Sequence, residues 1–286
     1  MSNRYFRYAS SNIPHVSKRD KGGEDAWLAQ DNLLVVADGV GGWIQHGIDS
    51  GLYSKQLVRD IKAYYDKNNA KELREVLVES VKANTNTGST TCVLAKFDTT
   101  RHDYLKTTNL GDSGYIIFRP DEQGALSMRF RSQEQQYSFN FPYQCGTGAE
   151  LPYKAYDTEH EIQDDDIIVM ASDGVFDNLY NGDIKACVSE QMKGLNLESP
   201  KGASDCIANL SLKLGNMGGY LSPFAKNARD SGVDYPPQGK ADDIAVIVAQ
   251  IHTKGEGYVP QEVETNGPEI DSFSINPQKK SDIEDL

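Results

Sequence analysis

Four stretches of the chain are apolar on both alternating faces: Leu33–Ala37, Thr91–Phe97, Ile167–Ala171 and Ile244–Ile251. A strand with one wet face alternates apolar with polar residues. One that does not alternate must be covered on both sides, by a second sheet or by helices. A further strand is expected at Tyr5–Ser10, and more crowd between Ser89 and Arg131. Two helical stripes precede that crowd. Residues 49–66 place Leu57, Ile61, Tyr64 and Tyr65 on one face, and residues 71–84 do the same with Leu73, Val76, Leu77 and Val81. Two more helices are expected near Asp183–Met192 and Ala203–Leu214. Strands that follow one another without intervening helices break the βαβα rhythm of a doubly wound sheet. The pattern therefore predicts an α+β fold with stacked sheets.

Composition narrows the class. The chain has 286 residues, 38% hydrophobic and 25% charged, which suits one large domain or two small ones. No apolar run nears the ~18 residues of a membrane span, and the polar opening MSNRYFRYASSN gives no expectation of a secretory leader. A net charge of -13 argues against a nucleic-acid binder. Cys92, Cys145, Cys187 and Cys206 form no CxxC, so neither a disulfide framework nor a zinc site is expected, and a reducing compartment fits. The body is read as residues 1–252. Residues 253–286, with eight acids and three bases, are read as a flexible acidic tail.

The chemistry lies where apolar strands are stopped by acid and glycine. The motifs are Gly-Gly-Glu-Asp at 22–25, Ala-Asp-Gly-Val-Gly-Gly at 37–42, Gly-Asp-Ser-Gly at 111–114, Ala-Ser-Asp-Gly at 171–174 and Asp-Asp-Ile at 242–244. One Asp-Gly is ordinary turn chemistry. Five such motifs, converging on one rim, would repel each other and need a cation. Hard oxygen ligands without His or Cys select Mg²⁺ or Mn²⁺. Other motifs fail by inspection. A dinucleotide loop from Gly39 would need glycine at 44, which is Ile44. A P-loop ending at Lys240 would need glycine where Asp234 stands. There is no HExxH and no GxSxG. His15, His46, His102, His160 and His252 are scattered.

In this order the motifs resemble the PP2C (PPM) family of metal-dependent serine/threonine protein phosphatases. The likeness runs from about Tyr5 to Ile251. Lys-Gly-Gly-Glu-Asp-Ala-Trp at 21–27, Asn-Leu-Gly-Asp-Ser-Gly at 109–114, Phe-Pro-Tyr-Gln at 141–144, Ser-Pro-Phe-Ala at 222–225 and Gly-Lys-Ala-Asp-Asp-Ile at 239–244 narrow it. They resemble the subgroup typified by a mitochondrial phosphatase of fungi, animals and plants.

The resemblance implies a four-layer α-β-β-α sandwich of two antiparallel sheets. It implies two Mn²⁺ or Mg²⁺ ions, with a weaker third in some members. A hydroxide bridging the two ions would attack phosphoserine or phosphothreonine of a protein substrate. Asp38 would bridge the ions and the Gly39 carbonyl would complete one shell. Asp173 and Asp242 would hold the other ion. Glu24 would act through bound water beside Asp25, and Asp112 would help hold the third ion. The resemblance makes Asp38, Asp173, Asp242 and Glu24 the catalytic set. Asp243 stands where the family usually has Asn.

Two departures follow. Val40 replaces a histidine proposed as general acid, with His46 nearby in sequence. Asp20 replaces a phosphate-binding arginine, leaving Lys18, Arg19 or Lys21 for that task. These departures keep open a weak or inactive binding protein of the same fold. A monomer in mitochondria is expected, with the cytoplasm as the alternative compartment. Met217–Gln238 is the candidate segment for recognising the protein substrate.

Overall fold

The computed structural model describes residues 3–149 and 152–268. Eleven strands and six helices carry the argument. The strands are β1 (Arg4–Ile13), β2 (Asp25–Gln30), β3 (Leu33–Asp38), β4 (Cys92–Phe97), β5 (Tyr104–Leu110), β6 (Gly114–Pro120), β7 (Leu126–Arg131), β8 (Tyr156–Glu161), β9 (Ile167–Ala171), β10 (Ile244–Thr253) and β11 (Glu264–Thr265). The helices are α1 (Ser50–Lys67), α2 (Leu73–Ala83), α3 (Asp173–Phe176), α4 (Asn181–Ser189), α5 (Pro200–Gly215) and α6 (Pro223–Asp230).

The strands form two antiparallel sheets. One has the order β8-β5-β4-β3-β2-β11, the other β1-β10-β9-β6-β7. The doubly apolar strands lie inside both sheets, as their sequences require. On β3, Leu33, Val35 and Ala37 face α1 and α2, while Leu34 and Val36 face the second sheet. On β9 and β10, Val169, Val246 and Val248 meet α4 and α5, and Ile168, Met170 and Ile247 meet the first sheet. The period of two thus splits each strand between two cores. The layers are α-β-β-α, as expected.

Three features depart from the sequence reading. β8, Tyr-Asp-Thr-Glu-His-Glu, was not foreseen, because it is an edge strand with no fully buried face. Cys187 on α4 and Cys206 on α5 are disulfide-bonded, with Cα atoms 5.6 Å apart. Their separation of 19 residues carries no spacing signal, and only the docking of the two helices brings them together. The expectation of a reducing compartment loses its support.

The third departure is the end of the body. It does not stop at residue 252: β11 pairs with β2 as the sixth strand of its sheet. Glu264 accepts from the Ser10 amide at 2.7 Å, and Gln261 from the Tyr8 amide at 3.0 Å. The Asn266 carboxamide accepts from Trp27 N at 3.0 Å and donates to the Asp25 carbonyl at 2.9 Å. The pairing consists of backbone and side-chain hydrogen bonds, which a polar composition does not reveal. The rest of the proposed tail, 269–286, lies outside the described residues.

Asn266→Ala removes both bonds at the start of β2. We expect it to lower the unfolding free energy by about 1–3 kcal/mol, read from urea titration. An unchanged midpoint would mean that the C-terminal strand adds nothing to β2.

Candidate metal centre

The acid-glycine motifs meet at one end of the sandwich. Asp25 opens β2 and Asp38 closes β3, and the two are register partners. Asp112 sits in the turn from β5 to β6. Asp173 begins α3 directly after β9, and Asp242 and Asp243 precede β10. Both sheets therefore deliver carboxylates to one rim.

Two glycines allow that convergence. A Cβ on Gly39 would stand 2.9 Å from the Glu24 and Ser50 carbonyl oxygens. A Cβ on Gly174 would stand 2.0 Å from the Asp243 carbonyl oxygen. Only glycine lets these backbones approach so closely.

The cleft has a volume of about 380 Å³. Glu24, Asp38, Gly39, Asp112, Asp173 and Asp242 line it, with Lys18 and Lys240. Asp25 lies behind this wall, 1% exposed, accepting from Ser172 Oγ at 2.7 Å. Asp243 is buried scaffold: it accepts from the His15 amide at 2.7 Å, the Glu24 amide at 3.0 Å and Lys18 Nζ at 2.9 Å. Of the two neighbours, Asp242 is the one that faces the cleft.

The three basic candidates separate. Lys18 enters the cleft, with Nζ 2.5 Å from Glu24 Oε2 and 3.8 Å from Asp242 Oδ1. Arg19 lines a neighbouring cavity beside Asn178 and Asn216, and Lys21 pairs with Asp49 at 3.6 Å. Val40 lines the cleft, while His46 is exposed and is not among its lining residues.

Two residues were missed. Lys240 Nζ stands 2.6 Å from both Asp173 and Asp177 and 3.3 Å from Asp242. Asp177 follows Asp173 by four residues, one helical turn, a spacing that could have flagged it. Lys240 had only its place beside Asp242 to mark it.

The electrostatics are those of a cation site. Glu24, Asp25, Asp38, Asp112, Asp173, Asp177, Asp242 and Asp243 gather around two ammonium groups. Two like charges 4 Å apart repel by about 4 kcal/mol at an effective dielectric of about 20. Burial, reinforced by neighbouring carboxylates, raises Asp25, Asp38, Asp177 and Asp242. Burial and Asp173 push Asp112 up to about 8. Asp173 is held low: burial opposes this, but the Lys240 ammonium and hydrogen bonds with Lys240, Asp38 and Asp177 together outweigh it.

Among the described residues no three His, Cys, Asp or Glu side chains are grouped as a closed set of metal ligands. Ammonium groups stand between the acids instead. The donor chemistry nevertheless fits a hard divalent cation. The oxygens are surplus in charge, and Asp25 Oδ1 and Asp173 Oδ1 are buried without a hydrogen-bond partner among the described residues.

Residues 29–252 match the sequence profile of the family described as Stage II sporulation protein E. The chain is 35% identical over 249 residues to probable protein phosphatase 2C 80 of Arabidopsis thaliana, covering 84% of this chain and 57% of that protein. It is 32% identical over 252 residues to the protein phosphatase PTC7 homolog fig of Drosophila grimshawi, covering 80% and 79%. The chain spans about half the length of three of the plant relatives it matches. Among solved structures, the photosystem II phosphatase PBCP superposes with a TM-score of 0.78 at 28% identity, over 87% of this chain and 100% of that one. The catalytic domain of the serine/threonine phosphatase PstP, solved with two manganese ions, shares the fold: TM-score 0.58, 18% identity, over 87% and 99%.

The raised acids make a prediction for the metal-free protein. An acid whose folded pKa lies above its unfolded value stabilises the fold at low pH. That stability is lost as pH climbs through the window between the two values, here about 4 to about 8 for Asp112. We expect the metal-free thermal midpoint to fall across that window, Asp112→Asn to flatten the fall, and Mn²⁺ to restore the midpoint at pH 8. A midpoint indifferent to both pH and Mn²⁺ would contradict this picture of the cleft.

Proposed function

The chain belongs to the PP2C (PPM) family of protein phosphatases, and from that premise we propose that it hydrolyses phosphoserine and phosphothreonine on other proteins with the help of two Mn²⁺ or Mg²⁺ ions. One observation carries the reading: a cleft lined by carboxylates from both sheets, with more negative charge than its two lysines offset. Such a cleft would repel a phosphate monoester unless cations were bound.

Asp38, Asp173 and Asp242 with the Gly39 carbonyl would hold the two ions, and Glu24 and Asp25 would support their shells. Asp112 would help hold a weaker third. When bound, the ions lower the pKa of water and offset charge on the phosphoryl oxygens.

The protein's part is to place these groups. Ser172 holds Asp25 from behind. Asp243 ties the 15–24 loop to the start of β10, which fixes Glu24. Lys18 lies in the cleft as a cation that can meet the substrate phosphate, the task left open by Asp20. Val40 has no proton to give, so protonation of the departing alkoxide does not fall to a side chain at that position. Cys92 and Cys145 are buried and their thiols are raised by burial, Cys145 to about 12. Neither is a nucleophile, which accords with direct attack by water.

The mitochondrial setting in this reading rests on the subgroup resemblance of the motifs. Among the described residues no helix is long and apolar enough to cross a membrane.

The test is release of phosphate from a phosphothreonine peptide with Mn²⁺. We expect turnover that stops on chelation by EDTA and falls by at least about 100-fold in Asp173→Asn, a loss of about 2.7 kcal/mol of barrier lowering. Turnover that survives EDTA would overturn the metal-dependent reading. A wild-type chain that binds Mn²⁺ but releases no phosphate would point to the inactive binding protein.

A further inference from the structure

Four cleft-lining residues carry side-chain hydrogen-bond donors: Lys18, Thr91, Asn140 and Lys240. Three are engaged with the protein. Lys18 is held by Glu24 and Asp243, and Lys240 by Asp173 and Asp177. Thr91 Oγ1 pairs with Ser113 Oγ at 2.8 Å and accepts from the Asp38 amide at 3.3 Å. The Asn140 carboxamide makes no hydrogen bond among the described residues, although its backbone amide does.

Asn140 is also held in an uncommon way. It has φ 56°, one of two non-glycine residues with positive φ among those described. Asn tolerates this region better than most side chains. It stands at the tip of a hairpin in which Gln136–Ser138 pairs with Phe141–Pro142. The hairpin is anchored on both flanks. Phe139 packs on Phe224 of α6, ring centroids 4.9 Å apart, and Tyr137 packs on Tyr143 at 4.2 Å. The Asn140 amide donates to Gln136 Oε1 at 3.0 Å, and Gln136 Nε2 lies 3.5 Å from Asp112 Oδ2. The tip is thus tied to the acid cluster by its backbone while its side chain stays uncommitted.

We propose that Asn140 is a substrate-contacting residue whose Nδ2 donates a hydrogen bond to a non-bridging oxygen of the phosphoryl group. A neutral donor suits this position. It binds the phosphoryl oxygen without being drawn into the surrounding carboxylates, as both lysines are. It also adds a phosphate contact in a cleft where Asp20 has replaced the arginine that the family resemblance would supply. This inference rests on the phosphatase reading above.

The test uses Asn140→Gly, which removes the carboxamide but keeps positive φ easily, and Asn140→Asp, which keeps the shape but not the donor. Each is assayed with the phosphothreonine peptide and with para-nitrophenyl phosphate, which has no peptide. Mn²⁺ affinity and binding of inorganic phosphate to the Mn²⁺-loaded protein are measured by calorimetry. We expect kcat/KM to fall about tenfold or more for both substrates, the loss expected of a hydrogen bond to a charged group. Phosphate binding should weaken in parallel and Mn²⁺ affinity should hold.

Values of kcat/KM within twofold of the wild type in both variants would overturn the proposal. So would a loss confined to the peptide, which would move the contact to the substrate backbone, or a parallel loss of Mn²⁺ affinity, which would make Asn140 scaffold. A wild type inactive on both substrates would instead overturn the hydrolase reading, and phosphate binding would then decide the contact. Weaker phosphate binding in both variants would support it, and unchanged binding would sink it.

Discussion

Mutual repulsion of carboxylates at the strand ends is the constraint around which this molecule is arranged. Glu24, Asp25, Asp38, Asp112, Asp173 and Asp242 are carried to one rim by elements of both sheets, and several are buried there. A buried, unpaired carboxylate is among the costliest things a fold can hold. Lys18 and Lys240 reach into the cluster and offset part of that cost. The remaining charge is what the proposed reading would have divalent cations offset. The same groups that lower the stability of the metal-free fold are those that would bind metal.

The surrounding structure serves that arrangement. Gly39 and Gly174 let backbone segments approach within distances that no Cβ would allow. Asp243 spends its carboxylate on the His15 and Glu24 amides and on Lys18, so the loop that carries Glu24 is fixed from the opposite sheet. Ser172 bridges the Asp25 carboxylate and the Ala245 amide, again joining the two sheets. Asn266 holds the Asp25 carbonyl and the Trp27 amide from the far edge. The site is therefore a junction of both sheets, and the hydrophobic layer between them sets how far apart its two halves lie.

Much of this was legible in sequence because it rests on local chemistry. Doubly apolar strands gave the inner strands of both sheets, and helical stripes gave α1, α2, α4 and α5 within a few residues. The acid-glycine stops marked where the strands end, and the fold brings those ends together. What escaped rests on long-range geometry. Lys240 acquires meaning only once α3 lies beside the segment before β10. β8 has no fully buried face to betray it, and α6, within the segment expected to recognise substrate, is short and opened by Pro223. The Cys187–Cys206 bond depends on the docking of α4 against α5. The strand at Glu264–Thr265 sits in an acidic stretch whose composition suggests a free tail, yet it adds to β2 through backbone pairing, to which composition is blind.

The two sequence departures follow one logic in the structure. Val40 and Asp20 remove a proton donor and a fixed cation that the resemblance would supply. In the proposed reading, groups drawn from elsewhere would compensate. Lys18 comes from two residues before Asp20 and is tethered by Glu24 and Asp243. Asn140 comes from a hairpin anchored on α6 and tied to Asp112 through Gln136. Each substitute is linked by its contacts to a carboxylate of the metal cluster, whereas a free arginine on the 18–21 loop would not need to be.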